Sequence, residues 1–333
     1  MKFALALLIT AFAALTVWGQ APTLRIVTEI PNLPSELYYG NIKVKPLRLR
    51  PGTLTPITIN DSDFFVNQQY TDFLSRFPDQ SGFDYWTAQI TSCGANQVCI
   101  DGQRDNTSGA FFLSIEFQET GYLVERMYKV AYGDSTGQST FGCPGACSGN
   151  ATHPLSVPIV RRSLEFLPDT LQISNGVVIG QPGADQLLEA NKVAFTNAFV
   201  SRARFITAYP TSLIPADFVN QLFVKAGVTP TAQQQQDAIN EFGGAGNTAD
   251  TAARGRAVRR VAENPTLNSN EKNKAFVLMQ YLGYLRRDPN TGPDTDYTGY
   301  DFWLQKLNNH GGDFHAAQMV RSFIVSGEYL GRF

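Results

Sequence analysis

Histidine is scarce in this chain: there are three among 333 residues, His153, His310 and His315. The last two stand five apart across Gly311 and Gly312, not at the i, i+4 spacing of an HExxH helix, so a zinc hydrolase is not expected. No serine is read as a nucleophile elbow and no Walker loop is present. Gly244, Gly246 and Ala249 imitate a dinucleotide fingerprint, but no apolar strand precedes them, and a glycine-rich linker between helices accounts for them. Charge excess is missing too. The 27 basic and 29 acidic residues leave a net charge of −2, too weak a field to recruit nucleic acid or anionic membrane. Beyond Val17 every apolar run is broken by charge, so no membrane span is expected after the leader.

What is present begins with a leader. Met1 and Lys2 open an apolar run from Phe3 to Val17 that exits through Gly19, which reads as a signal peptide over residues 1–19 and a secreted protein, extracellular or periplasmic. Residues 20–61, rich in proline and threonine with short β-branched alternations, read as an extended N-terminal tether with one or two short strands. Four cysteines fall in two close pairs, Cys93 with Cys99 and Cys143 with Cys147. Two local disulfides are the simplest outcome in an oxidising compartment; zinc ligation and free thiols are the alternatives, and the Cys93 arm is wider than a zinc site takes.

Helical spacing starts near Ser62, and the sequence then repeats itself. QYTDFLSRFPD…GFDYW, from Gln69 to Trp86, returns as QYLGYLRRDPN…GYDFW, from Gln280 to Trp303. Arg76, Pro78, Gly82, Asp84 and Trp86 fall over Arg287, Pro289, Gly299, Asp301 and Trp303. A second block, AFFLSIEF, returns as SFIVSGEY, setting Ser114 and Glu116 over Ser326 and Glu328. Weaker copies of the first helix appear as LVERMY from Leu123 and FVNQLF from Phe218. The fold expected is mainly α, a helical repeat or bundle of about four related units over residues 62–333. Residues 141–183 interrupt it as a loop-rich insertion, with a small β-hairpin expected at Asn175–Gly176.

Three constellations carry candidate chemistry. Asp294, Asp296, Thr298 and Gly299 occupy the first, third, fifth and sixth places of an EF-hand-like loop, so calcium is the one cofactor considered and otherwise none is expected. The twelfth place is Gln305 instead of a bidentate Glu, and the first copy offers only Asp79 and Ser81 before Gly82, so turn formation and helix capping compete with ion binding. Arg76 and Arg287 suit carboxylates or glycans, and Tyr85, Trp86, Phe302 and Trp303 suit sugar rings. Their recurrence at fixed places in a repeat assigns them first to structure, the arginines pairing with a nearby carboxylate or helix end. Glu116 with Glu119 reads as a solvated helix face. No catalytic residue is expected. Asn60, Asn106 and Asn150 each open an N-x-Ser/Thr triplet, relevant where the host glycosylates it.

QYTDFLSRFPDQSGFDYW, AFFLSIEFQETGYLVERMYKVAYG, FVLMQYLGYLRRDPN and MVRSFIVSGEY together resemble the bacterial family known as domain of unknown function 4214, over roughly residues 62–333. The resemblance implies an exported or surface protein whose helical unit is similar to the linker domain of phycobilisomes. Such proteins are often joined to calcium-binding or adhesive repeats, and no reaction is established for them. The chain departs from that pattern in its Cys143–Cys147 loop and carries no large adhesive region. The function expected is an exported protein-interaction or glycan-binding module at the cell envelope, its partner an envelope protein or glycan. A structural surface or matrix component is the second reading, and an undetected glycan hydrolase with two carboxylates the third.

Overall fold

The computed structural model describes residues 23–45, 47–142 and 152–333. The leader, Cys143, Cys147 and Asn150 lie outside the described residues. Contacts divide the chain into two units, Met1–Leu47 and Arg48–Phe333.

In the first unit the segment expected to be a tether with one or two strands forms three: β1 Leu24–Val27, β2 Glu36–Tyr39 and β3 Ile42–Val44, an antiparallel meander. Gly40, at φ +59°, supplies the left-handed conformation of the two-residue turn between β2 and β3. Leu24 faces Tyr39, Tyr39 faces Ile42, Ile26 faces Leu37 and Leu37 faces Val44. With a side-chain period of two, these six apolar residues share one face. The opposite face is polar: Lys43 and Tyr38 both bond to Glu36, and the Arg25 guanidinium lies over the Tyr38 ring.

The second unit is mainly helical. Its first repeat copy holds α1 Ser62–Gln69, continued by a π-helical turn at Tyr70–Leu74, then α2 Gln80–Thr91, α3 Gln97–Leu113 and α4 Ile115–Glu119. A disulfide between Cys93 and Cys99 ties the end of α2 to the start of α3. Then come α5 Gly121–Tyr132, the strands β4 Ser135–Ser139 and β5 His153–Val157, a π-turn at Arg162–Phe166 and α6 Leu167–Ser174. Next follow α7 Ala184–Val200, α8 Ala203–Ala208, α9 Pro215–Ala226, α10 Ala232–Asn240 and α11 Thr251–Ala262. The second complete copy holds α12 Pro265–Met279, a π-turn at Gln280–Leu285, α13 Thr298–Asn309, α14 Met319–Ile324 and α15 Gly327–Leu330.

Four sequence-related hexamers line the core: FVNQQY from Phe65, LVERMY from Leu123, FVNQLF from Phe218 and FVLMQY from Phe276. The first, second, fifth and sixth residues of each are buried, as one helix face requires. The two complete copies meet at their π-turns. Phe73 packs edge-on against Tyr284, its counterpart in the second copy, with ring centroids 5.1 Å apart, and the Tyr284 hydroxyl donates to Gln69 Oε1 at 2.9 Å. The weaker copies pair as well, α5 lying against α9.

The hairpin is real but displaced. Asn175–Gly176 ends α6 instead of joining strands: Leu167, Thr170 and Ile173 are buried at helical spacing, and Gly176 turns the chain out at φ +72°. The antiparallel pair is β4 with β5, Ser135 opposite Val157 and Ser139 opposite His153.

Candidate functional site

Each repeat copy builds the same cluster, and the residues forming it are those the two copies share. Arg76 leaves the π-turn just after Ser75, which is held at φ +54°, and forks onto Glu116: Nε to Oε1 at 2.7 Å, Nη2 to Oε2 at 2.8 Å. Arg287 follows Arg286 at φ +52° and forks onto Glu328 at 2.5 and 3.1 Å. Left-handed backbone at non-glycine residues costs about 1–3 kcal/mol, and the clamped arginine that follows holds it in both copies. The guanidiniums also lie over Tyr70 and Tyr281, 5.0 and 5.2 Å from the ring centres, and donate to the Phe77 and Asp288 carbonyls; Arg287 reaches the Pro289 carbonyl too. Pro78 fills the matching place in the first turn.

Ser114 and Ser326 cap the next helices, accepting from Phe117 N and Tyr329 N while donating to the Phe111 and Phe323 carbonyls. Trp86 packs on Phe111 and Trp303 on Phe323, with centroids 5.9 and 5.6 Å apart. Gly82 and Gly299 leave room for the Tyr70 and Tyr281 hydroxyls; a Cβ at Gly299 would sit 2.6 Å from the oxygen. Asp79 caps α2 by accepting from Gly82 N. Glu116, expected on a solvated face, is instead 5% exposed and paired with Arg76; the two stand 40 residues apart, so no local pattern reveals the pairing.

The copies differ in what covers them. On the second, the β4–β5 hairpin and the residues after β4 dock along the start of α13. Tyr297 N donates to the Gln138 carbonyl, Ser139 Oγ donates to Asp301 Oδ2 at 2.7 Å, and Thr140 N donates to Thr298 Oγ1 at 2.9 Å. Phe141 then packs edge-on to Phe302 at 5.1 Å. His153 Nε2 lies 3.6 Å from the same Asp301 oxygen. On the first copy the matching residues are open: Asp84 is exposed, and Tyr85, which stands where Phe302 stands, is 56% exposed.

Other candidate chemistry is committed elsewhere. In the EF-hand-like loop, Asp294 binds Arg287 Nη2 at 2.6 Å, Asp296 accepts from Thr298 N, and Thr298 Oγ1 accepts from Thr140 N, so the three expected oxygen donors serve protein groups. Among the described residues no group of three or more His, Cys, Asp or Glu is placed to hold a metal. Accordingly, the melting temperature is expected to be the same in millimolar calcium and in excess chelator, which differential scanning fluorimetry reads directly. Gly133, Asp134, Ser135, Thr136 and Gly137 do have G-x-S-x-G spacing, contrary to expectation. Ser135, however, follows helix α5 and opens a strand, the reverse of an elbow, and His153 sits at the far end of the hairpin.

One carboxyl is strongly perturbed. Burial inside the unit, and then the negative Glu271, push Glu125 well above the usual carboxylate range, against the opposing charges of Arg126, Lys274 and Lys129. Among the described residues its Oε2 has no hydrogen-bond partner. A carboxyl raised on folding contributes stability that is present below its unfolded pKa of 4.5 and lost as pH rises through the folded value. Glu125→Gln is therefore expected to raise stability at pH 8 by about 1–3 kcal/mol and to have little effect near pH 4, which urea melts at the two pH values test. Neither Glu125 nor Glu271 lines any of four cavities in this unit, one of which lies between α7, α10 and α11. No known family model matches the chain, and no curated protein and no solved structure matches it.

Proposed function

We propose that this chain is an exported protein-interaction module whose first repeat copy binds an extended polypeptide segment of a partner at the cell envelope. One observation carries the reading: the second copy's α13 face is covered by a hydroxyl-rich, aromatic-ended segment, residues 138–142 of the chain itself, while on the equivalent face of α2 Asp84 and Tyr85 are exposed and no described segment covers them. A partner segment with a hydroxyl side chain for the Asp84 carboxylate and an aromatic ring for Tyr85 meets the same chemistry. The resemblance to domain of unknown function 4214 supports export, and the Cys93–Cys99 disulfide fits an oxidising compartment.

The test is photocrosslinking in the producing cell, with a benzophenone side chain at position 85 in one variant and at position 302 in another. Position 302 is expected to label its own chain, and position 85 to yield a stoichiometric foreign adduct. Only self-adducts at position 85 would favour the surface-component reading instead. That second reading has its own support in the apolar face of the N-terminal sheet, where Leu24, Ile26, Tyr39 and Ile42 are all exposed and available for self-association.

A further inference from the structure

A second recognition surface lies in the part of the helical unit between the two complete copies. Helices α7, α10 and α11 enclose a cleft of about 520 Å³, within the range of small-ligand sites. Its walls carry three guanidiniums, Arg256, Arg259 and Arg260, and four carboxylates, Glu189, Asp237, Glu241 and Glu263. The guanidiniums are held fast. Arg256 and Arg260, one turn apart on α11, both bind Glu241, through Nε to Oε2 at 2.8 Å and Nε to Oε1 at 2.9 Å. Arg259 forks onto Glu189 at 2.5 and 2.7 Å and reaches Glu263 at 2.8 Å.

Among the described residues the pairing leaves Nη1 of Arg256 and of Arg260 uncommitted, while Asp237 accepts only from Gln233, through Oδ1. The cleft thus presents fixed donors from one wall and a fixed acceptor from the other. Val193, Ala252 and Pro265 supply apolar surface between them. Surface ion pairs contribute little to stability, so stability alone does not account for so ordered an array around an open cavity. Groups immobilised before binding lose little entropy when a ligand arrives.

The lining selects the ligand class. With one carboxylate more than guanidiniums an anion meets net repulsion, and because Glu189, Glu241 and Glu263 are already paired with arginines a cation meets a single unpaired acid, Asp237. A neutral molecule dense in hydroxyls satisfies both the free N–H groups and the free carboxylate oxygen while laying its C–H face on the apolar strip. We propose that this cleft binds a neutral saccharide of one or two hexose units. The site is separate from the α2 face, and either assignment stands or falls without the other.

The experiment is saturation-transfer difference NMR on the full chain with cellobiose, maltose and N,N′-diacetylchitobiose, with glucose 6-phosphate as the anionic probe. At least one neutral disaccharide is expected to give signal and to bind more tightly than the phosphate. Asp237→Asn and Arg256→Gln, both at solvent-accessible positions, are each expected to weaken that binding 10-fold or more with unchanged melting temperature, and Tyr85→Ala to leave it untouched. No signal from any disaccharide, preference for glucose 6-phosphate, or undiminished binding in both cleft variants overturns the assignment.

Discussion

Replacing Arg76 by alanine is expected to lower the unfolding free energy by about 3–5 kcal/mol, because Glu116 would remain as a buried carboxylate without its counter-charge. The same change at Arg287 is expected to cost less, about 1–2 kcal/mol, since the Glu328 side chain is 34% exposed and water replaces the lost partner. Urea denaturation of the two variants checks both the sizes and their order. The unequal effect distinguishes an ion pair inside the fold from a motif whose two copies do one external task equally. If both losses were below about 1 kcal/mol, the forked pair would not be holding the π-turn to the capped helix.

Gly299→Ala is expected to destabilise by about 1–3 kcal/mol, and Tyr281→Phe is expected to recover most of that loss. The added Cβ would stand 2.6 Å from the Tyr281 hydroxyl oxygen but 3.8 Å from the ring carbon bearing it. Removing the oxygen therefore turns a clash into an ordinary contact. That hydroxyl makes no hydrogen bond with the described residues, so Tyr281→Phe alone should cost little. A double-mutant cycle read by thermal melts measures the coupling, and additive losses would show that something other than this close approach requires the glycine. Gly82 and Tyr70 form the corresponding pair in the first copy, with a still closer approach.

The helices and the shared cluster were legible in the sequence because repetition marks them. Arg76 and Glu116, or Arg287 and Glu328, each appear twice at matching places, and Phe65, Leu123, Phe218 and Phe276 start hexamers with one buried face. What repetition leaves unsaid is who touches whom. Arg76 and Glu116 sat in different blocks, and nothing local joins them. The strands β4 and β5, STGQS and HPLSV, signal themselves weakly, since β4 holds no large apolar residue and β5 alternates only at Leu155 and Val157. They are held by α13, through Asp301, Thr298 and Tyr297, more than 130 residues away along the chain. Asn175–Gly176 has the local chemistry of a hairpin turn, but the helical face of α6 prevails. The cleft beside α11 was also out of reach: Arg256, Arg259 and Arg260 stand close together in sequence, yet Glu189 and Glu241, which pair with them, come from α7 and the end of α10.

The Asp72 side chain is fully shielded from solvent, and its carboxylate is balanced by Arg286 and by Arg332, the latter bound at 2.9 and 2.8 Å across 260 positions of chain. Both arginines belong to the second copy. During synthesis, then, the first copy emerges with a carboxylate it cannot yet bury, and its π-turn has no Tyr284 to close against. The amino-terminal copy therefore depends on residues as late as Arg332 to complete its burial, which couples the two ends of the unit into one cooperative whole.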